Sequence, residues 1–526
     1  MMSVLFRTRP FIQTLICAAT LAGCASTPRV EANKTVSTAL PHPEETRSGH
    51  RFLEQSKSHG DFSAFRVISA GVDGFVTRVE IVRNAERTLD LQYFIYRGDE
   101  TGRMLTEELR RAADRGVRVR VLVDDGDTTA GDEQILQLDG YPNMQVRVFN
   151  PFDYRKHNRV LRNLDFVFHR SRLDYRMHNK LLVADNSIAL IGGRNVGNQY
   201  FQLDPTSQFA DDDVFAAGPI AQSLSQSFDE FWNSDMTVPA SSLSKAASPS
   251  MPQSAATPMI QGSGIDYLSR IATGEPYASL VGERAPLVWA SARVVSDSPD
   301  KKRVVKHEQT GWLMARAVTG EMGTVQSELL MVSPYFVPSD GELALLKQLR
   351  ERNAAVRVLS NSLESAPDLA AQSGYLKIRV PLLQEGVELY EVRALLDDTR
   401  GSGQTRNISR YGTYALHAKL YVLDRKRLFV GSWNYDQRSL RINTEIGLLI
   451  DSPELASQVA LRFEAMVRPQ EAYKVVLKQD GNGKPRLVWD TEIDHKKVEL
   501  TLEPSRGWWQ RQRVRLLAML PLQPEL

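Results

Sequence analysis

His178 and Lys180 stand two residues apart, Asp185 follows five further on, and the same spacing recurs at His417, Lys419 and Asp424. Both triplets lie in apolar runs, HNKLLVAD and HAKLYVLD. Each is followed at the same distance by Gly-x-x-Asn, ending in Asn195 and Asn434. One such match could be an accident; two in register, each with the same trailing motif, form a specific signal. The runs read as β-strands, whose side chains alternate between faces, so His and Lys of each triplet share a face. Each triplet therefore offers an imidazole beside an ammonium. Two such pairs facing each other would hold a phosphodiester: a neutral imidazole attacks phosphorus and the opposite imidazolium protonates the leaving oxygen. Lysine ammonium groups and asparagine amides would stabilise charge on the non-bridging oxygens. Asp185 and Asp424 complete the signature but fall on the opposite face of a regular strand. Their expected role is support through buried hydrogen bonds. Arg194 stands where the second copy has Trp433, so the two copies are not chemically identical.

The elements that would carry these residues also repeat. TLDLQYFIY (88–96), a helical pattern and VRVRVLVDD (117–125) are matched by ELLMVSPYFVP (328–338), a helical pattern and AVRVLSNS (355–362). MQVRVFNP (144–151) and VELYEV (387–392) add a further short strand to each. The separations are similar: 242 residues from Tyr93 to Tyr335, 237 from Val121 to Val358 and 239 from His178 to His417. A near-constant offset indicates duplicated α/β lobes, and alternating strands and helices favour a mixed or largely parallel sheet covered by helices. The Tyr93 and Tyr335 stretches fit core strands and pocket walls equally.

RLDYRMHNK, LIGGRNVGNQYF, LHAKLYVLD and VGSWNYDQRSLRINTEIGLLI, together with LDLQYFIY, resemble the phospholipase D superfamily, and over roughly residues 61–526 bacterial cardiolipin synthases of the C type. The resemblance implies two duplicated phospholipase D-like lobes, each a mixed sheet flanked by helices, related by a pseudo-twofold axis. It implies a covalent phosphohistidine on one histidine, proton shuttling by the other, and a carboxylate after each Gly-x-x-Asn that orients a histidine. Glu445 in NTEIG fills that place in the second lobe; in FADDDVF, Asp211 is preferred over Asp212 and Asp213. His178 is expected as the nucleophile. Related two-lobed enzymes are described with the N-terminal histidine in that role. In addition, Glu445 would raise the basicity of His417, and Arg194 would add positive charge near His178. The implied substrates are phospholipids, with phosphatidylglycerol donating a phosphatidyl group to a second phospholipid to give cardiolipin, and no cofactor is needed. Two other readings stay open: water as acceptor, which makes a hydrolase or nuclease, and an idle envelope scaffold on the same fold. The complete His and Lys sets weigh against the second.

Composition sets the remaining bounds. The chain has 526 residues, 42% apolar and 24% charged, with a formal charge of +2. Length favours two lobes and composition favours a globular protein. Without residues 1–23 the basic count falls from 65 to 63, equal to the 63 acids. The basic excess usual in non-specific nucleic-acid binders is missing, so nucleic acid is not the expected partner. Clustered Cys or His at zinc-like spacing is also missing, so no metal is expected. DDGD (124–127) reads as a strand-end acidic turn rather than a cation site.

Arg7 and Arg9 followed by FIQTLICAATLAG form a short export signal ending in LAGC, which resembles a bacterial lipobox. It implies cleavage before Cys24 and lipid attachment there. Ala25 next to it favours the outer membrane over the inner, with the chain facing the periplasm. The domain reading is then a signal peptide over 1–23, a flexible tether over 24–60, lobe 1 over 61–238, and a linker and connector over 239–282. Lobe 2 spans 283–470 and a C-terminal segment 471–526. RGWWQRQRVRLLAMLPL (506–522) fits equally an interfacial helix on a membrane surface and a helix packed on the body.

Overall fold

The computed structural model describes residues 34–126, 133–153, 159–204, 206–243, 286–301, 313–394 and 413–520. The signal segment, Cys24 and nearly all of the 239–282 linker lie outside the described residues.

Runs rich in Val, Leu, Ile and aromatic residues form the strands. In lobe 1 these are β1 (Ser63–Ile68), β2 (Thr88–Tyr93), β3 (Arg118–Asp124), β4 (Met144–Phe149), β5 (Lys180–Ala184), β6 (Ile188–Gly192), β7 (Ser207–Ala210), β8 (Asp213–Ala217) and β9 (Thr237–Pro239). Lobe 2 holds β10 (Val288–Ser296), β11 (Glu328–Val332), β12 (Phe336–Val337), β13 (Ala355–Asn361), β14 (Glu388–Val392), β15 (Thr413–Leu416), β16 (Leu420–Leu423), β17 (Arg427–Gly431), β18 (Tyr435–Asp436) and β19 (Ile446–Asp451). The C-terminal segment adds β20 (Ala472–Gln479), β21 (Pro485–Ile493) and β22 (Lys496–Leu500).

Eighteen of these strands join one sheet. In lobe 1 the order of pairing is β9-β4-β3-β2-β5-β6-β8-β1, with β2, β3 and β4 mutually parallel and the other neighbours antiparallel. Lobe 2 repeats it as β20-β14-β13-β11-β16-β17-β19-β10, again with three strands, β14, β13 and β11, mutually parallel. The lobes meet where β1 pairs antiparallel with β10, Ala64 opposite Trp289. Strand order reads the same outward from that seam in both directions, as a pseudo-twofold axis requires. One apolar core runs across the seam, joining Phe65, Phe228 and Trp232 of lobe 1 to Leu330, Val430 and Phe463 of lobe 2. Each lobe also has its own core on the opposite sheet face. Helices cover the faces; Glu100–Asp114 starts at the Asp99 cap and Asp340–Glu351 at a Ser339/Glu342 capping box.

Two sequence expectations need correction. The tether is not flexible to residue 60. Thr46 caps helix Arg47–Ser58, Phe52 is buried against Phe215, and Ser37 and Ala39 amides donate to Asn233 and Asp229. Polar composition concealed a capped amphipathic helix. The C-terminal segment is not separate from lobe 2, because β20 pairs with β14 and β21–β22 extend the sheet. Among the described residues no helix is long and apolar enough to cross a membrane.

Candidate active site

Matching strand ends deliver the two triplets. His178 lies two residues before β5 and Lys180 opens it, paired with Tyr93 of β2; His417 and Lys419 lie just before β16. Both imidazoles are 7% exposed and both lysines are buried. Lys180 Nζ donates to His178 O at 2.5 Å, and Lys419 Nζ donates to His417 O. Each ammonium thus lies folded against its own triplet.

The carboxylates arrive from the opposite lobe. β7 runs parallel to β15, Ala210 beside Leu416, so Asp211 lands next to His417. The pseudo-symmetric bridge joins Met177 to Thr444 and places Glu445 next to His178. Backbone bonds fix both: His417 N to Ala210 O at 2.8 Å and His178 N to Thr444 O at 2.9 Å. Asp211 Oδ2 is 2.6 Å from His417 Nδ1, and Glu445 Oε2 is 2.9 Å from His178 Nδ1. The expectation that Glu445 serves His417 is therefore corrected, since each histidine takes its acid from the other lobe. Strand register also separates the three adjacent acids. Gly192 faces Asp213 as Gly431 faces Gly447, so Asp211 is the counterpart of Glu445. Asp212 bonds Ser69 and Arg462, and Asp213 bonds Arg78 and Arg194.

Arg194 is likewise on the other side from that expected. It donates to the carbonyl of Asp211 and its charge acts on Asp211, the partner of His417. The arginine near His178 is Arg438 of lobe 2, clamped on Asp174 of lobe 1 by bonds of 2.7 Å to Oδ1 and the carbonyl. Nothing in the sequence pattern marked it.

Asp185 and Asp424 complete the signature but are not brought to the site. Both adopt left-handed backbone just past their strands. Asp185 accepts from the amides of Glu86, Arg87 and Thr88, and Asp424 from those of Gln326, Ser327 and Glu328. They tie each motif strand to the start of β2 or β11. Asp185 is buried as expected, whereas Asp424 is only half-buried. The asparagines differ too. Asn195 accepts from Ile95 N and donates to Tyr200 OH, while Asn434 Oδ1 is buried without a partner. Aromatic rings that the sequence did not single out wall the site. Phe94 lies edge-on to His178 at 5.1 Å, and Tyr200 and Phe209 flank His417 at 5.2 and 5.1 Å.

Burial and crowded cations set the charges. Burial, then Lys180, Lys419 and Arg438, hold His178 well below its usual range; burial and Lys419 bring His417 to about 3 despite Asp211. Burial lowers Lys419 to about 8 and also holds Lys180 well below its usual range. Burial pushes Glu445 up to about 7, against Lys180 and the hydroxyls of Ser432 and Ser439. Burial opposes ionisation of Asp211 as well, but His417, Lys419 and Arg194 outweigh it and hold the group at about 2. Both imidazoles are therefore neutral near pH 7. Among the described residues only Asp153, Asp165 and His169 bring three metal-capable groups together, and Asp165 is already bonded to His169 Nδ1.

Two buried His–carboxylate pairs with two lysines, one pair centred on each lobe's motif, form the candidate site of a phospholipase D-type phosphodiesterase or transferase. The family model described as cardiolipin synthase, PLD-like domain, matches residues 79–232 and 319–467. The chain belongs to that family. It is 33% identical over 464 residues to cardiolipin synthase C of Escherichia coli (strain K12), covering 87% of this chain and 94% of the relative. It is 25% identical to the major cardiolipin synthase ClsA of Bacillus subtilis (strain 168), covering 76% of this chain and 67% of the relative. The fold matches the crystal structure of phosphatidylserine synthase from Haemophilus influenzae Rd KW20, with TM-score 0.52 and 14% identity over 80% of this chain and 91% of that one.

Proposed function

We propose that the chain transfers a phosphatidyl group from phosphatidylglycerol to the hydroxyl of a second phospholipid, making cardiolipin through a phosphohistidine. The carrying observation is the crossed pair of histidine–carboxylate contacts around two buried lysines. The similarity to cardiolipin synthases supports the choice of lipid.

His178 Nε2 attacks phosphorus while ionised Glu445 holds the proton on Nδ1. The phosphorus–oxygen bond to glycerol breaks, and His417 gives its proton to the departing oxygen. The imidazolium on His417 is supported by Asp211 and by the negative charge that the phosphodiester brings between the lysines. His417 then takes the proton of the acceptor hydroxyl, whose oxygen attacks phosphorus and breaks the phosphorus–nitrogen bond. Lys180, Lys419 and the Nδ2 donor of Asn434 stabilise the phosphoryl oxygens. His178 is assigned as nucleophile because burial and the neighbouring Lys180, Lys419 and Arg438 favour its neutral form, while firmly ionised Asp211 equips His417 for proton transfer. The chain is placed at a bacterial envelope membrane, anchored through lipid on Cys24, with the outer membrane favoured; mass spectrometry of an unmodified Cys24 would refute the anchor. Lipid analysis of a cardiolipin-deficient bacterium expressing this chain tests the reaction. Cardiolipin should reappear, and phosphatidic acid alone would make water the acceptor instead.

A further inference from the structure

The C-terminal helix Trp508–Met519 buries one face and leaves the other bare. Val514 is buried, and the helix packs against Leu369–Gln384. On the far side Trp508 is 55% exposed, Trp509 73%, Leu516 65% and Met519 81%. A soluble surface rarely gathers two tryptophans and two aliphatic side chains at such exposure. At about 100° per residue these four fall on one stripe of the helix. The same rotation puts exposed Arg515 on one edge of the stripe and exposed Arg513 on the other. No acidic residue occurs between Pro504 and Leu520, where Arg506 and Arg511 add two further positive charges. An apolar stripe bordered on both edges by arginine matches a bilayer surface. The rings and aliphatic chains enter the headgroup boundary, and the guanidinium groups reach outward to phosphate.

The first turn of this helix also touches the loop beneath the active site. Gln510 Nε2 donates to Leu363 O at 2.7 Å and Arg506 Nε to Glu364 O at 2.6 Å. Two residues earlier, Asn361 at the carboxyl end of β13 bonds both backbone groups of Leu416, the residue before His417. The helix is thus seated on the same rim of the sheet as the second triplet.

We infer that helix Trp508–Met519 docks on the surface of an anionic phospholipid bilayer, its Trp508/Trp509/Leu516/Met519 stripe inserted and Arg513 and Arg515 against lipid phosphates. This goes beyond the reaction proposed above and stands without it. The full chain has only two cysteines, Cys17 and Cys24. With both changed to serine, a polarity-sensitive fluorophore on Met519→Cys reads this helix alone, and one on exposed Lys57→Cys serves as the reference. Vesicles of phosphatidylglycerol and phosphatidylcholine should shift the Met519→Cys emission to the blue, and spin-labelled lipid should quench it. The Lys57→Cys label should do neither. Arg513→Glu with Arg515→Glu should weaken the response to anionic vesicles by about tenfold or more and leave turnover of the soluble diester bis(p-nitrophenyl) phosphate unchanged. Equal emission at both labels overturns the inference. So does a blue shift that follows protein concentration without vesicles, which would make the stripe a contact between copies, or a parallel loss of soluble turnover. A persisting shift in a chain that makes no cardiolipin would sink the proposed reaction and leave the docking surface standing.

Discussion

Asp211 and Glu445 occupy matching positions in the two lobes, yet one lies among arginines and the other among hydroxyls and aromatic rings. On the Asp211 side, Arg78 and Arg194 converge on Asp213, and Arg194 reaches the Asp211 carbonyl. On the Glu445 side, Trp433 takes the place of Arg194 and packs with Tyr421, Phe429 and Tyr435, while Ser432 and Ser439 donate to the carboxylate. One carboxylate is held at about 2 and the other rises to about 7. Duplication supplied two equal frames, and the surroundings of each acid then separated a permanent anion from one that titrates near neutrality.

The comparison is broken most completely by removing either imidazole. His178→Ala and His417→Ala should each lower lipid turnover by about 10⁴-fold or more, since neither half-site can fill the other's role. Only His417→Ala should still capture label from a diester with a good leaving group, seen as phosphohistidine after acid-free digestion. Near-normal turnover in either variant would end the two-histidine mechanism.

Replacing the acids sharpens it. Asp211→Asn and Glu445→Gln should each cost about 10³-fold, because an amide no longer secures the productive tautomer. Their pH profiles should differ. Protonated Glu445 would donate to Nδ1 and leave hydrogen on Nε2, so kcat/KM should fall as pH drops through about 7. Loss of the Lys419 charge should give the alkaline limb near 8. Glu445→Gln should erase the acid limb and Asp211→Asn should keep it. An acid limb unchanged in Glu445→Gln would assign it to another group.

The residue beside each acid gives a smaller contrast. A Cβ on Gly193 would lie 2.1 Å from Asp211 Oδ1, so Gly193→Ala must displace that carboxylate and should cost about 10²-fold in kcat. Ser432→Ala removes one hydroxyl from Glu445 and should cost about tenfold, with the acid limb moved to higher pH. Equal losses would mean that the two acids are supported alike.

The smallest effects fall on stability. Asp185→Ala should cost about 2–4 kcal/mol, because three amides lose a buried acceptor; Asp424→Ala should cost about 1–2, because water reaches its site. Urea titration measures both, and a reversed order would contradict their different burial.

Much of this fold was legible because a strand–helix–strand pattern and a spaced motif both occur twice. His178, Lys180, His417 and Lys419 were legible for the same reason. What the sequence hid is who meets whom. Glu445 lies 28 residues after His417 in the chain, and proximity in sequence suggested that pair. The β7–β15 pairing and its symmetric bridge, which cross between lobes, have no local signature. Aligning tyrosines also misled: strand register puts Tyr93 level with Ser333 and Tyr335 level with Ile95. Tyr93 is a core residue whose hydroxyl accepts from Arg78. The capped helix at 47–58 was lost in polar composition.

The seam between β1 and β10 has a consequence for how the chain is made. Until β10 emerges, β1 is an open sheet edge, the kind of surface on which unfinished chains pair wrongly. His178 waits longer, because Glu445 is translated about 200 residues after lobe 1 ends, some 10–40 s at ordinary rates of synthesis. For that interval lobe 1 has most of its core but a histidine without its acid, and its border stays open only until β10 (Val288–Ser296) follows. Holding that nascent half apart from others of its kind is a task that falls to the cell rather than to the sequence.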